Sequence, residues 1–366
     1  MMPSRRLLTI VGSAAALVTG AAAAGIAVAA QQRKGTEVVE PGEKLGDLRA
    51  DRVSTVAADD GTPLAVSEIH PGQGKPELTV VGVHGFALSQ RSWYFQRRDL
   101  ASLTLPRVKQ VYYDHRGHGL SGAAAAETST IEQLARDLDA VLRAVAPDGP
   151  IVLAGHSMGG MVIMELAQQN PELFADRVCG VAFIATAAGE VGGRGLSRSL
   201  LSKYNPLTRG VGELAGWQPG LVEFVRAAGG QLTRPAVRRL AFGSRDVHPK
   251  IVDFLLEMLA VTPVRGLVNY IDTLGSHNRY AALAGLKHAH VLVIHGDADR
   301  LTPFSHAERI AAELPDAELA RVRGAGHTVQ LEQPELVNSY LIDLLQKCAG
   351  VDEMGSSQRI WRWLTK

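Results

Sequence analysis

Strand-length runs of mostly apolar residues recur along this chain, at Leu78 to Val83, Val108 to Tyr113, Ile151 to Ala154, Val178 to Ala185 and Val291 to Ile294. A strand with one wet face alternates polar and apolar residues. These runs do not, so both faces are expected to be covered, as in a parallel sheet. Helical patterns lie between them. Ile131, Leu134, Leu138, Val141, Leu142 and Val145 fall on one face, behind Ser129 and Glu132 as a capping box and ahead of a Pro147-Asp148-Gly149 stop. The segment after Ser157 (Met161, Val162, Ile163, Met164, Leu166) is apolar nearly all round until Asn170-Pro171, which predicts a helix buried against the sheet. This alternation predicts an α/β chain with a mostly parallel, doubly wound sheet. Val53 to Ala57 and Leu64 to Ile69, separated by Asp59-Asp60-Gly61, add an antiparallel hairpin at its start.

The alternation stops between Ala188 and about Leu286, a stretch too long for a connection. Helical patterns continue there: Pro249 precedes Ile251, Val252, Leu255, Leu256 and Leu259, and Thr262-Pro263 opens another that Gly275 closes. A helical lid at about 188–286 is expected, inserted into a domain spanning 53–350. Residues 31–52, charged and without periodicity, read as a linker. Residues 351–366 form a C-terminal tail in which Gln358 to Leu364 mixes cations with indoles, a composition suited to membrane interfaces or to packing a tryptophan on the domain.

Ahead of the linker, Arg5 and Arg6 introduce Leu7 to Ala30, which holds no charge. That run exceeds the roughly 20 residues a membrane-spanning helix requires. Residues 1–30 are therefore read as a transmembrane anchor or as a signal peptide cut near Ala27-Val28-Ala29, either placing the chain at or across a membrane with its globular part outside the cytoplasm. Ser4 to Leu8 faintly resembles a twin-arginine export signal. The net charge of +1 gives no footing for nucleic acid. Two cysteines, Cys179 and Cys348, are too few for a disulfide framework and leave the redox compartment open; Cys179, within an apolar run, is expected to be a small buried hydrophobe.

Gly155-His156-Ser157-Met158-Gly159 stands directly after a buried strand and directly before a helix. That setting holds a serine on a strained turn with Oγ exposed at the strand's end, and the flanking glycines leave room for the sharp bend. The helix N-terminus brings backbone N–H groups to where an oxyanion would form. Serine needs a base, and the base an orienting acid. Downstream, Val291 to Ile294 runs into His295-Gly296-Asp297-Ala298-Asp299, and His327 follows in the glycine-rich loop Gly324-Ala325-Gly326.

On these motifs, with His84-Gly85-Phe86 and Asp114-His115-Arg116-Gly117-His118-Gly119-Leu120-Ser121, the chain resembles the α/β-hydrolase superfamily, in the branch of esterases, monoacylglycerol lipases and cofactor-free haloperoxidases. The resemblance covers roughly Val53 to Cys348. It implies Ser157 as nucleophile, His327 as base and Asp299 as acid, with Asp297 as second choice, and an oxyanion hole from the backbone N–H groups of Phe86 and Met158. The implied activity is hydrolysis of carboxylic esters, including lipid or other acyl esters, through an acyl-enzyme on Ser157. A haloperoxidase or perhydrolase and a non-catalytic binding protein are the alternatives. No cofactor or metal is implied. Epoxide hydrolase and haloalkane dehalogenase chemistry is disfavoured, because relatives that perform it carry an aspartate where Ser157 stands. Within Asp114 to Ser121 an Asp114–Arg116 pair is expected to hold the loop, and His84, His115, His118 and His156 are read as structural.

Overall fold

The computed structural model describes residues 38–40, 42–191, 234–262, 267 and 269–351. In chain order, β1 (Arg52–Ala57) and β2 (Pro63–Ile69) form the expected hairpin. Gly61, at φ 82°, closes its turn by donating to the Ala58 carbonyl. β3 (Leu78–Val83) leads to α1 (Tyr94–Leu100), β4 (Val108–Tyr113) to α2 (Ile131–Val145), and β5 (Ile151–His156) to α3 (Met158–Gln169) and α4 (Pro171–Asp176). After β6 (Val178–Ile184) come α5 (Arg234–Ala241), α6 (Pro249–Val261) and α7 (Ile271–Ser276). The chain then forms β7 (His290–Gly296), α8 (Ser305–Glu313), β8 (Glu318–Val322), α9 (Val329–Glu332) and α10 (Pro334–Cys348).

The strands make one eight-stranded sheet ordered β1-β2-β4-β3-β5-β6-β7-β8. β1 and β2 pair antiparallel to each other, as do β2 and β4; the remaining neighbours are parallel. This is the α/β-hydrolase sheet. Its apolar runs lack alternation because successive residues enter two different cores. Val81, Leu153 and Val181 pack with Leu138 of α2 and Ile163 of α3 on one face. Val80, Val152 and Ala182 pack with Leu341 and Leu345 of α10 on the other. The winding reverses at β3, with β4 on one side and β5 on the other, so a crevice opens beyond the carboxyl ends of β3 and β5. Ser157 lies at that edge.

Several local expectations are corrected. The cap of α2 is Thr130, whose hydroxyl accepts from Gln133 N at 3.1 Å, while Ser129 Oγ donates to Ala125 O. The helix starts one residue later than the pattern implied, so Gln133 takes the third helical position and Glu132 is free to pair with Arg279. Arg116 does not pair with Asp114. Its guanidinium forks onto the Asp137 carboxylate with two bonds of 2.6 Å and reaches Asp60 as well, so a planar donor set meets a planar acceptor on α2. Asp114 instead accepts from Gln90 N and Leu120 N. Cys179 is half-buried, with its thiol donating to Ile151 O.

The described residues before β1, 38–40 and 42–51, form no helix or strand, yet they pack on the domain. Val38 and Val39 are buried, Glu43 accepts from Tyr94 Oη at 2.8 Å and pairs with Arg98, and Leu48 O accepts from Arg97. The described part of the 188–286 insertion carries the helices α5, α6 and α7. Residues 192–233 lie outside the described residues, as do most of the Thr262–Pro263 helix start, the 1–30 segment and the tail from 352. Among the described residues no helix is long and apolar enough to cross a membrane.

Candidate active site

The turn between β5 and α3 holds Ser157 at φ 52° and ψ −118°, a conformation L-residues rarely adopt. Backbone bonds pin it: Ser157 N donates to Ile184 O at 2.9 Å, and Ser157 O accepts from Gly160 N at 2.9 Å and from Thr186 Oγ1 at 2.7 Å. A Cβ at Gly155 would lie 2.6 Å from Gly160 N, and one at Gly159 would run into the Val83 carbonyl. Both glycines are therefore required by close backbone approach.

His327 sits between β8 and α9, in a loop wedged so tightly that a Cβ on Gly326 would lie 2.5 Å from Gly243 N. Its Nε2 is 2.9 Å from Ser157 Oγ and its Nδ1 is 2.9 Å from Asp299 Oδ2. The three side chains singled out in the sequence thus meet in one hydrogen-bonded chain. Asp299 Oδ1 accepts from Leu301 N and Thr302 N, and Oδ2 also accepts from Thr302 Oγ1 at 2.8 Å. Burial works to raise the Asp299 pKa, but His327, His295 and their hydrogen bonds outweigh it and hold the carboxyl well below the usual range. A carboxylate there requires the Nδ1–H tautomer of His327, which leaves Nε2 to accept from the serine hydroxyl. Asp297 stands outside this chain of bonds. Its Oδ1 accepts from Gly324 N at 2.7 Å and clasps the histidine loop.

Met158 opens α3, and Phe86 follows β3 in a turn that Leu88 N closes onto Gly85 O. The next residue, Ala87, sits at φ 62° and donates to His118 Nε2 at 3.1 Å. That acceptor is available because burial pushes the His118 pKa down to about 3. Burial likewise lowers His84 to about 4 and His156 to about 3, where Nε2 of His156 donates to the His327 carbonyl. Neutral in the fold, these three histidines take up protons in the unfolded chain below its ordinary value of 6.5, so unfolding binds protons and acid opposes folding. Between about pH 6.5 and 5.5 each is expected to remove about 1 kcal/mol of stability. The urea midpoint should fall over that interval at constant slope.

Glu332 was not legible as a site residue. From α9 it accepts from Gly243 N, Ser244 N at 2.7 Å and Gly326 N at 2.7 Å, tying the histidine loop to the segment after α5. Its only sequence signal is an acid five positions beyond His327, which a plain helix surface would also supply. Glu332→Ala leaves three amides without their acceptor and is expected to cost about 3 kcal/mol in urea denaturation, with turnover reduced as His327 loosens. Phe86, Leu88, Met161, Val191, Leu274 and Leu301 line the cleft above Ser157. Among the described residues no group of three or more His, Cys, Asp or Glu is arranged to hold a metal ion.

A two-core parallel sheet with a serine on its sharp strand-to-helix turn defines a class of hydrolases, and comparison with known proteins agrees. The sequence pattern of the alpha/beta hydrolase family matches residues 80–339, and the chain belongs to that family. It is 27% identical over 279 residues to the dihydrolipoyllysine-residue acetyltransferase component of the acetoin cleaving system of Pseudomonas putida, covering 75% of this chain and only 65% of that protein. It is also 27% identical over 271 residues to the pimeloyl-[acyl-carrier protein] methyl ester esterase of Aromatoleum aromaticum, covering 71% and 94%. Among solved structures, an esterase from Exiguobacterium antarcticum superposes with a TM-score of 0.62 at 18% identity, over 81% of this chain and all of that one. A bromoperoxidase from Bacillus anthracis does so with a TM-score of 0.62 at 20% identity, covering 81% and 100%.

Proposed function

We propose that the protein is a serine hydrolase of carboxylic esters that works through an acyl-enzyme on Ser157. Two hydrogen bonds in series, Ser157 Oγ to His327 Nε2 and His327 Nδ1 to Asp299 Oδ2, carry this proposal. His327 takes the hydroxyl proton as Oγ attacks the ester carbonyl, and Asp299 stabilises the imidazolium that forms. The Phe86 and Met158 amides receive the oxyanion. His327 then protonates the leaving alcohol, and water, deprotonated by the same imidazole, releases the acid.

Six apolar side chains around the cleft favour an apolar acyl group, and the helical insertion, which supplies Leu274, acts as the lid. The relative that is a methyl ester esterase supports the ester bond as the target. A fluorophosphonate probe tests the nucleophile: a stoichiometric adduct mapped to Ser157 is expected, and an unlabelled, folded protein would instead mark a binding protein on this fold. Esters of graded acyl length then define the substrate, and peroxide with a short carboxylic acid in the same assay separates hydrolysis from perhydrolysis. We also propose that the uncharged run Leu7 to Ala30 takes the chain to or across a membrane. Recovery of the full chain in the soluble cytoplasmic fraction of its host would overturn this.

A further inference from the structure

The chain's two cysteines lie far apart in sequence and meet in the fold. Cys179 is on β6 and Cys348 is the last residue of α10, the helix that covers one face of the sheet. The pairing of β5 with β6 shifts between Ile151 and Val152, whose partners are Val178 and Gly180, so Cys179 is the extra residue of a bulge. The bulge and the glycine after it make room for a second thiol. A Cβ on Gly180 would lie 2.6 Å from Cys348 Sγ, which shows how closely that sulfur rests on the bulged backbone. Both cysteines border the same apolar cluster, both are free, and both are half-exposed rather than sealed in the core.

We propose that Cys179 and Cys348 form a redox modification site that closes to an intramolecular disulfide by exchange with a small external disulfide. Cys179 is the entry thiol. The Cys348 sulfur, resting on the bulged backbone at the next residue, favours the thiolate at Cys179, and the same interaction disfavours it at Cys348. The Cys179 thiolate attacks one sulfur of the external disulfide, forming a mixed disulfide and expelling one thiolate. Cys348 then loses its proton and attacks the Cys179 sulfur, forming the internal bond and expelling the second. The two protein thiols are oxidised, and the external disulfide is reduced to two thiols that receive the two protons. The bond would staple α10 to the sheet at the amino end of β6, away from Ser157 at the carboxyl end of β5. It would close a ring of about 170 residues, which restricts the unfolded chain strongly. An oxidising compartment would hold the site closed and a reducing one open.

The test uses the full chain and glutathione disulfide under native conditions. The expected product is a monomer lighter by two hydrogens, with no titratable thiol and a Cys179–Cys348 cross-linked peptide. Its Tm should exceed that of the reduced protein by about 5 °C or more. Cys348→Ser should abolish both the cross-link and the shift. The proposal fails if both thiols stay titratable, if glutathione remains attached to either cysteine without resolution, or if the bond forms only between two chains. None of these readouts depends on ester hydrolysis.

Discussion

Ser157→Ala is expected to lower kcat by at least about 10⁴-fold on any ester the protein turns over, with the urea midpoint nearly unchanged. The loss is large because the hydroxyl is the atom that His327 Nε2 addresses, at 2.9 Å. On the proposed mechanism no acyl-enzyme could then form, and only the proposed oxyanion amides and the cleft would remain to assist water. The fold should tolerate the change, since the contacts that pin this residue run through its backbone to Ile184, Gly160 and Thr186. Serine and alanine also incur the same penalty for the positive φ. Steady-state kinetics with a chromogenic ester, paired with denaturation, separates loss of chemistry from loss of structure. Turnover within tenfold of the parent would end the assignment of Ser157 as nucleophile.

Asp299→Asn is expected to cost about 10⁴-fold in kcat while preserving shape. The reason is the distribution of donors around the carboxylate. Oδ1 accepts two backbone amides, those of Leu301 and Thr302, so the asparagine carbonyl must face them. Its NH2 group then faces His327 Nδ1 and the Thr302 hydroxyl, where an acceptor had been. The imidazole answers by moving its proton to Nε2, which then donates towards the serine and can no longer take its proton. Asp297→Asn, at a side chain bonded only to the Gly324 amide among the described residues, should stay within tenfold. Equal losses in the two variants would return the choice of acid to an open state.

The inner strands were legible to within about two residues because two-sided burial leaves a continuous apolar run. The serine turn, the histidine loop and the position of Asp299 were legible because each follows a strand end, and a parallel sheet brings such ends to one edge. Partnerships across space were not. Arg116 and Asp137 lie 21 positions apart and meet because the loop after β4 comes back against α2, whereas the sequence neighbour Asp114 looked the natural partner. Glu332 was hidden in the same way, since its three amide donors come from two separate loops. The helix cap was misread by one residue because Ser129 and Thr130 offer the same chemistry and only the backbone decides which one turns outward.

The packed stretch around Val38 and Val39 sets an upper limit on how far the N terminus can be shortened. Trimming at the first strand would strip cover from the domain and leave Tyr94 and Arg98 without the Glu43 carboxylate. Maturation by a peptidase near Ala29 would spare all of these contacts, so a processed enzyme and an anchored one would share the same globular body.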